Sequence, residues 1–265
     1  MRVSGKGLIN REKTLNFKFD GLNYKGFEGD TVASALLASG KKVFGRSFKY
    51  HRPRGVLTAG SEEPNALITV GQGVFQDPNI RATTQEIFEG LVTKSQNNWP
   101  NLQYDILSIN DLFSNFLGAG FYYKTFMWPK SFWEKIYEPF IRRAAGLGAL
   151  SGLHNSDTYE KAYAFCDLLI IGGGPSGLIA AKIAAEAGLD VILAEQEPIF
   201  GGRLNSETEK VDGIPGSDWA VKIIEELKKL DNVRLFLRTT VTGVYDQGTF
   251  AAVERVGHHL SLIHI

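Results

Sequence analysis

Apolar and polar residues alternate along two short segments near the start of the chain. In residues 14–19 every second side chain is apolar, which predicts a strand with one buried face. Asp20 and Gly21 follow as a turn signal, and residues 22–27 predict the returning strand. This part of the chain is therefore predicted to be a β-hairpin.

The hairpin is followed by signals for one helix and two more strands. Asp30 is the predicted N-terminal cap of a helix over residues 31–39, and Gly40 is its predicted end. Residues 66–70 and 80–87 predict further strands. The order of hairpin, helix, loop and strands is typical of a small β-grasp domain, as in plant-type ferredoxins.

The region over residues 97–162 has a different character. Within it, residues 106–150 have a mostly helical pattern and many aromatic side chains. We interpret the region as a helical connector between a β-grasp domain over residues 1–96 and a third domain over residues 163–265. A contact surface for a partner subunit and a membrane-surface helix are the alternative roles for its aromatic residues.

The third region contains an apolar run, a glycine turn and a helix in direct succession. Gly172, Gly174 and Gly177 match the G-x-G-x-x-G fingerprint of a dinucleotide site. In this motif the first glycine permits the tight turn and the second lets the backbone approach the pyrophosphate. The third glycine lets the helix and the strand pack closely. The spacing therefore predicts a nucleotide-binding turn.

The helix that follows the turn is predicted over residues 178–187, with Gly188 as its end. Its N-terminus carries partial positive charge, so its amide groups would face the phosphates. Pro175 and Ser176 lie inside the turn and belong to the predicted cofactor site. Ser176 is expected to bind phosphate and not to act as a nucleophile, because no G-x-S-x-G elbow surrounds it.

A second apolar strand over residues 190–194 ends at Glu195, with Gln196 beside it. This acid lies about 20 residues after the glycines, where a dinucleotide fold holds the adenosine ribose. A carboxylate there accepts hydrogen bonds from the ribose hydroxyls and repels a 2′-phosphate. The position favours NAD or FAD over NADP, and it does not separate NAD from FAD.

Further candidate contacts come later in the chain. Gly202, Arg203 and Leu204 are predicted to border the phosphates, because glycine lets the backbone come close to a ligand. A surface role is the alternative for Arg203. Thr240 and Val241 lie on a predicted strand beside the adenine. The other elements predicted here are a helix over residues 218–230 and strands over residues 233–238, 239–245 and 251–255.

Composition narrows the classes of function. The 29 basic and 29 acidic residues leave no net charge, so nothing suggests nucleic-acid binding. Cys166 is the single cysteine, which excludes an internal disulfide and a cysteine-ligated iron–sulfur cluster. Neither a signal peptide nor an apolar run of about 20 residues is present. We therefore expect a cytoplasmic chain with no membrane span.

No catalytic constellation is recognisable in the sequence. The five histidines lack metal-ligand spacing, and no metal site is predicted. A basic loop over residues 46–55 precedes Glu62 and Glu63, which we expect to pair with the loop arginines, Arg46, Arg52 and Arg54. Docking onto an acidic partner surface is the alternative role for this loop.

Two stretches carry a more specific resemblance. Phe-Lys-Tyr-His-Arg-Pro-Arg-Gly at residues 48–55, followed by Glu-Glu-Pro-Asn-Ala-Leu at residues 62–67, resembles the α-subunit family of heterotetrameric sarcosine oxidases. The run from residue 165 to residue 177 and the later Gly-Gly-Arg-Leu run are similar to the same family. The likeness spans most of residues 1–256.

The resemblance implies an α/β fold with an α+β N-terminal part. It implies a ferredoxin-like β-grasp domain without a cluster, a connector, and a Rossmann-type domain of the glutathione-reductase type that binds NAD. The implied complex oxidatively demethylates sarcosine to glycine with hydrogen peroxide and, with tetrahydrofolate, methylenetetrahydrofolate. The implied partners are β, γ and δ subunits, with FAD and FMN at the β subunit.

The same resemblance implies the N-terminal part of a longer subunit, truncated within its dinucleotide domain and expected to be inactive alone. Residues 260–265 are then interpreted as foreign sequence, and a genuine short strand is the alternative. Two other functions stay open beside an NAD-binding subunit. One is an FAD-dependent amine or amino-acid oxidoreductase subunit, and the other is a non-catalytic assembly scaffold.

Overall fold

A computed structural model describes residues 2, 7–120, 126, 128–144, 148–154, 159–257 and 262–264. The chain divides into two compact units, residues 1–155 and residues 156–265. Each unit has its own cluster of buried apolar side chains. Among the described residues, no helix has the length and apolar character needed to cross a membrane.

The first unit is built on a mixed sheet. Its helices and strands are β1 (Asn10–Phe19), β2 (Leu22–Glu28), α1 (Val32–Ala38), β3 (Gly45–Arg46), β4 (Pro53–Arg54), β5 (Leu67–Val70), β6 (Asp77–Arg81), β7 (Leu91–Ser95) and α2 (Glu138–Ala144). Five of the strands form a sheet in the order β2-β1-β7-β5-β6. β1 pairs antiparallel with β2 and parallel with β7.

The hairpin prediction is confirmed by β1 and β2. Phe17 and Phe19 of β1 are buried, while Lys18 between them is exposed, so the apolar face of the strand lies on the core. Leu36 of α1 and Ile68 of β5 belong to the same core. Helix and sheet thus bury one shared apolar layer.

The predicted cap of the first helix is wrong by one residue. Thr31 is the N-cap, and its side chain forms a reciprocal capping box with Ser34. The carboxylate of Asp30 instead accepts hydrogen bonds from the backbone amide of Phe27 and from the guanidinium of Arg2. Asp30 therefore holds the end of the hairpin against the helix start.

The strand predicted over residues 80–87 is also wrong in extent. β6 ends at Arg81, and a turn follows because the amides of Thr84 and Gln85 both bond to the Arg81 carbonyl. The amide of Ala82 bonds back to the carbonyl of Ala66. The backbone thus leaves the sheet earlier than the apolar pattern suggested.

The predicted helical connector is mostly irregular in its described part. Residues Ile106–Asp111 and Lys130–Phe132 are short 3₁₀ turns, and Trp133–Tyr137 is a π-helical turn that leads into α2. Residues 121–125, 127, 145–147 and 155–158 of the predicted connector lie outside the described residues. Leu112 and Phe116 are largely exposed, so no buried face stabilises a continuous helix there.

In its described part, the second unit contains two α-helices and three sheets. Its elements are β8 (Glu160–Ala162), β9 (Leu168–Ile171), α3 (Pro175–Glu186), β10 (Val191–Ala194), β11 (Lys210–Val211), β12 (Ile214–Pro215), α4 (Gly216–Leu227), β13 (Val233–Phe236), β14 (Thr239–Tyr245), β15 (Thr249–Glu254) and β16 (Leu262–His264). The smallest sheet is the antiparallel pair β11-β12. β13, β10 and β9 form a parallel sheet in that order.

The four-stranded sheet has the order β14-β15-β16-β8. β14 and β15 form an antiparallel hairpin, which confirms the strands predicted over residues 239–245 and 251–255. Residues 262–264 pair with β15, which is the arrangement that the short-strand alternative for the tail predicted.

Helices α3 and α4 pack on one face of the parallel sheet. Leu178 and Ala181 of α3 are buried with Val191 and Leu193 of β10 and with Trp219 of α4. Small residues on α3 let the helix lie close to the strands. Because the three strands are parallel, their carboxyl ends meet at one edge of the sheet, where a ligand binds in folds of this kind.

Candidate functional site

The glycine turn connects the carboxyl end of β9 to the start of α3. Gly172 has a φ of +101°, which favours glycine, and its amide bonds to the carbonyl of Ala194. A Cβ at Gly177 would lie 1.9 Å from the carbonyl oxygen of Gly172. The third glycine of the motif is therefore required for the turn and the helix to pack together.

Gly174 differs from Gly177 in its surroundings. It is the N-cap of α3, and a Cβ built on it would meet no atom within 4 Å. No side chain caps this helix end, and Pro175 occupies its first turn. Open space at an uncapped helix N-terminus fits a bound anion such as a pyrophosphate. The exposed side chain of Ser176 lies in the same first turn.

Glu195 follows β10 and lies next to the glycine turn. Its Oε2 accepts a hydrogen bond of 2.6 Å from the amide of Gly173, and its Oε1 accepts one of 2.9 Å from the amide of Glu197. The side chain is buried. Each oxygen of a carboxylate has a second acceptor position, so both oxygens retain capacity for a ribose hydroxyl. The acid predicted from sequence thus stands beside the predicted turn.

The Gly-Gly-Arg-Leu run lies against the same turn. The amide of Gly201 bonds to the carbonyl of Gly173 at 2.8 Å, and a Cβ on Gly202 would lie 3.2 Å from the Cα of Gly174. Arg203 is exposed and forms an ion pair with Glu207, in which Nε and Oε1 are 2.8 Å apart. Its side chain would therefore have to leave Glu207 to reach a phosphate.

The other predicted contacts are more spread out. The side chain of Leu204 is buried in the apolar core beside Gly216, so only its backbone remains as a possible contact. Gln196 is exposed next to Glu195. Thr240 and Val241 follow Thr239, whose amide bonds to the carbonyl of Glu195. The start of β14 is thus tied to the site through the backbone.

Gly173 and Phe200 also lie at the turn, but they were not predicted as site residues. Gly173 is buried, and a Cβ there would lie 2.2 Å from Cδ1 of Phe200 and 3.2 Å from Oε2 of Glu195. Phe200 therefore packs directly on the turn. The run of three glycines was the available signal, because the fingerprint requires only the first and third of them.

A cavity of about 520 Å³ lies on the face of the parallel sheet away from α3 and α4. Its lining is mainly apolar and includes Leu169, Ile192 and Cys166. Burial raises the pKa of the Cys166 thiol, partly offset by the nearby Arg234. The thiol is therefore protonated at neutral pH and is a weak nucleophile.

The basic loop of the first unit has an ordered centre. His51 and Asp105 are both buried, and Nδ1 of His51 lies 2.7 Å from Oδ2 of Asp105. The guanidinium of Arg46 donates to the backbone carbonyls of His51 and Leu102. This cluster joins the loop to the segment near residue 105.

The predicted pairing of Glu62 and Glu63 with the loop arginines is wrong. Arg52 forms an exposed ion pair with Asp111, and Arg54 donates to the side chain of Asn65. Arg46 donates to the backbone carbonyls of His51 and Leu102. Glu62 is exposed, whereas Glu63 is fully buried. The carboxylate of Glu63 bonds to backbone amides, which charge spacing along the sequence does not reveal.

Two family models match this chain. Residues 12–98 match a family described as "2Fe-2S iron-sulfur cluster binding domain", and residues 167–229 match one described as "FAD dependent oxidoreductase". The N-terminal domain is therefore ferredoxin-like, and the glycine turn lies in a region related to FAD-dependent oxidoreductases.

The first of these families implies a 2Fe–2S cluster. Residues 12–98 contain no cysteine, because the only cysteine of the sequence is Cys166. Within the described ranges, no group of three or more His, Cys, Asp or Glu side chains is arranged to hold a metal ion. The residues present do not fit a cysteine-ligated cluster.

Three curated relatives that match nearly the whole chain share one description. It is 56% identical over 98% of its length to "Sarcosine oxidase subunit alpha" of Rhizobium meliloti (strain 1021). It is 33% identical over 95% of its length to the protein of the same description from Corynebacterium sp. (strain U-96). The chain spans only 26% and 22% of the lengths of these two relatives.

A solved structure shares the fold. The crystal structure of L-proline dehydrogenase from P. horikoshii matches 96% of this chain and 40% of its own chain, with a TM-score of 0.55 and 19% identity. At this identity the likeness concerns the fold alone. It supports an α/β architecture for the whole described chain.

Proposed function

Because this chain is a homologue of the N-terminal region of sarcosine oxidase α subunits, we propose that it belongs to an oxidoreductase subunit that acts on sarcosine. The whole enzyme would demethylate sarcosine oxidatively to glycine with hydrogen peroxide and, with tetrahydrofolate, methylenetetrahydrofolate. Its partners would be β, γ and δ subunits in the cytoplasm, with FAD and FMN held at the β subunit.

The task that we assign to this chain is to hold a dinucleotide, NAD, in a Rossmann-type domain of the glutathione-reductase type. The observation that carries the proposal is the space at Gly174. A Cβ there meets no atom within 4 Å, and the helix behind it has no side-chain cap. Free amide donors and open space in one place are what a pyrophosphate requires.

The residues around the turn have distinct roles in this proposal. The amides of the first turn of α3, with Ser176, bind the pyrophosphate, and Gly202 leaves room for it. The carboxylate of Glu195 binds the ribose hydroxyls, while Thr240 and Val241 lie toward the adenine. Bound NAD supplies a nicotinamide ring that exchanges hydride. The negative charge of the Glu195 carboxylate would also repel a 2′-phosphate and so disfavours NADP.

FAD is the second candidate, because residues 167–229 match a family of FAD-dependent oxidoreductases. The glycine turn and the acid after β10 suit the adenosine half of either cofactor. The two cofactors differ in the half that extends beyond the pyrophosphate. In that case the subunit would carry out flavin chemistry of its own.

Extraction of the cofactor from the purified subunit tests both proposals. The protein is denatured, and the released small molecules are identified by mass and by absorbance. We expect one NAD per subunit and no flavin spectrum from this chain. Recovery of FAD would replace the first proposal with the second, and recovery of NADP or of no nucleotide would contradict both.

A further inference from the structure

The carboxylate of Glu63 is enclosed by backbone amides of its own loop. Its Oε2 accepts hydrogen bonds of 2.7 Å from the amides of Leu57 and Thr58. Its Oε1 accepts hydrogen bonds of 2.6 Å from the amide of Asn65 and 3.0 Å from the amide of Ala66. The residue has no exposed surface. One side chain thus organises the whole segment from residue 57 to residue 66.

Glu63 and two residues that donate to it can be compared with the cysteine ligands of ferredoxins. Plant-type ferredoxins bind their cluster with the spacing C-x₄-C-x₂-C. Thr58, Glu63 and Ala66 have this same spacing, and they lie in the part of the chain that matches the cluster-binding family. With Glu63 placed at the middle position of this spacing, Thr58 and Ala66 take the two flanking positions, and the amides of both donate to its carboxylate.

A carboxylate is physically suited to this place. An iron–sulfur cluster is a charged group whose sulfurs accept hydrogen bonds from the surrounding chain. Charge-assisted hydrogen bonds from several amides offset the cost of burying a carboxylate. In the described part of the chain, no lysine, arginine or histidine forms an ion pair with Glu63. The groups that stabilise its charge are therefore the four backbone amides.

The loop is also tied to the neighbouring sheet through its backbone. Nε of Arg81 donates to the carbonyl of Glu63, and the hydroxyl of Thr83 donates to the carbonyl of Gly60 at 2.6 Å. These bonds fix the outside of the loop. Among the described residues, the amides of Leu57, Thr58, Asn65 and Ala66 all donate to the Glu63 carboxylate.

We propose that the Glu63 carboxylate takes the structural place of the iron–sulfur cluster in this ferredoxin-like domain. It is a buried anion that accepts hydrogen bonds from the amides of the loop that corresponds to the cluster-binding loop. In this role it needs neither iron nor sulfide, and it has no redox activity. The assignment is independent of the dinucleotide proposal, because it concerns only the first unit.

Hydrogen exchange of the full chain, resolved to the segment over residues 57–66, tests this proposal. Glu63→Gln keeps the size of the side chain but replaces one acceptor oxygen with a nitrogen. We expect exchange at two of the four amides to accelerate at least about tenfold, as expected for lost hydrogen bonds to a charged group. Glu62→Gln is the matched control, because it removes the same charge from an exposed neighbour, and it should leave exchange unchanged.

Two further measurements on the wild-type chain need no variant. The four amides should exchange as slowly as the core amides of β5, and the purified protein should contain neither iron nor acid-labile sulfide in stoichiometric amount. Rapid exchange of these amides in the wild type, or unchanged exchange in folded Glu63→Gln, would overturn the proposal. So would a stoichiometric content of iron and sulfide.

Discussion

Glu195 combines a structural and a proposed binding role in one carboxylate. Both oxygens already accept backbone amides, from Gly173 and Glu197, so the side chain is held in place before any ligand arrives. This preorganisation lowers the entropy cost of binding a ribose. The position of Glu195 after β10 was predictable from its spacing to the glycines, whereas its bonds to the amides of Gly173 and Glu197 were not.

Glu195→Gln should weaken NAD binding and reduce discrimination against NADP. The amide keeps the size of the side chain but loses the negative charge that favours ribose hydroxyls over a 2′-phosphate. We expect NAD affinity to fall at least about tenfold, since hydrogen bonds to charged groups contribute about 1.5–3 kcal/mol. Calorimetric titration with NAD and with NADP measures both effects.

Glu209→Gln serves as the control for this experiment, because it neutralises an exposed carboxylate in the same unit. Its affinities should equal those of the wild type. An unchanged ratio of NAD to NADP affinity in Glu195→Gln would remove Glu195 from the binding site.

Glu63 gives the first unit a defined pH dependence. Burial alone would raise the pKa of Glu63, but hydrogen bonds from the amides of Thr58, Asn65, Ala66 and Leu57 outweigh it and lower the pKa. The folded-state pKa is thus below the unfolded value of about 4.3. The contribution of the carboxylate to stability is fully present above that value and is lost as the pH falls through the folded pKa.

Urea unfolding at a series of pH values measures this contribution. The difference in unfolding free energy between wild type and Glu63→Gln should be constant above about pH 6 and should shrink below about pH 4. Glu62→Gln should show no comparable trend. A difference that stays constant down to about pH 3 would contradict the lowered pKa.

Elements with a complete local signal could be predicted from the sequence. The hairpin β1–β2 has alternating side chains and a turn at Asp20 and Gly21, both of which have positive φ. The prediction of a mostly helical segment over residues 106–150 is wrong for most of its described part, where Glu138–Ala144 is the one α-helix, because an apolar pattern without a buried partner surface does not stabilise a helix. Apolar side chains such as Phe116 are largely exposed there instead.

The link between the basic loop and the segment near residue 105 could not be predicted. His51 and Asp105 are 54 positions apart, and only the folded chain brings Nδ1 and Oδ2 to 2.7 Å. The amides of Trp99 and Leu107 also donate to the Asp105 carboxylate. This buried cluster joins two irregular segments that lack regular secondary structure.

Asp105→Ala should therefore destabilise the protein strongly. Removal of the carboxylate leaves His51 and two backbone amides without their acceptor in a buried place, which costs about 3–5 kcal/mol. Urea unfolding followed by far-ultraviolet circular dichroism measures the loss. Asp111→Ala is the control, because its ion pair with Arg52 is exposed, and it should change stability little. Equal effects of the two substitutions would contradict the structural role of Asp105.

At the scale of the whole molecule, the chain combines a ferredoxin-like unit with a unit related to FAD-dependent oxidoreductases. This combination was predictable, because each unit contains a motif that is continuous in sequence. These motifs are the hairpin in the first unit and the strand, glycine turn and helix in the second. The proposed substitution of a carboxylate for a cluster could not be predicted, since it depends on the directions of four backbone amides in the folded loop. The missing cysteines alone showed only that a cysteine-ligated cluster does not fit.

Gly174 and Gly177 allow the proposed binding of a dinucleotide at the glycine turn to be tested. A methyl group on Gly177 would lie 1.9 Å from the Gly172 carbonyl, so Gly177→Ala should lower both stability and binding. A methyl group on Gly174 meets no protein atom within 4 Å, and the φ of −73° there suits alanine. It would nevertheless fill the space proposed for the pyrophosphate.

The decisive measurement is the NAD content per subunit after purification of wild type, Gly174→Ala and the control Gly118→Ala, with the melting temperature of each. Gly118 also has open space around its Cβ position, but it lies in the first unit. As purified, wild type and Gly118→Ala should contain NAD, and Gly174→Ala should not. After removal of the nucleotide, the three proteins should have equal melting temperatures. Wild-type NAD content in folded Gly174→Ala would contradict the binding of NAD at the glycine turn.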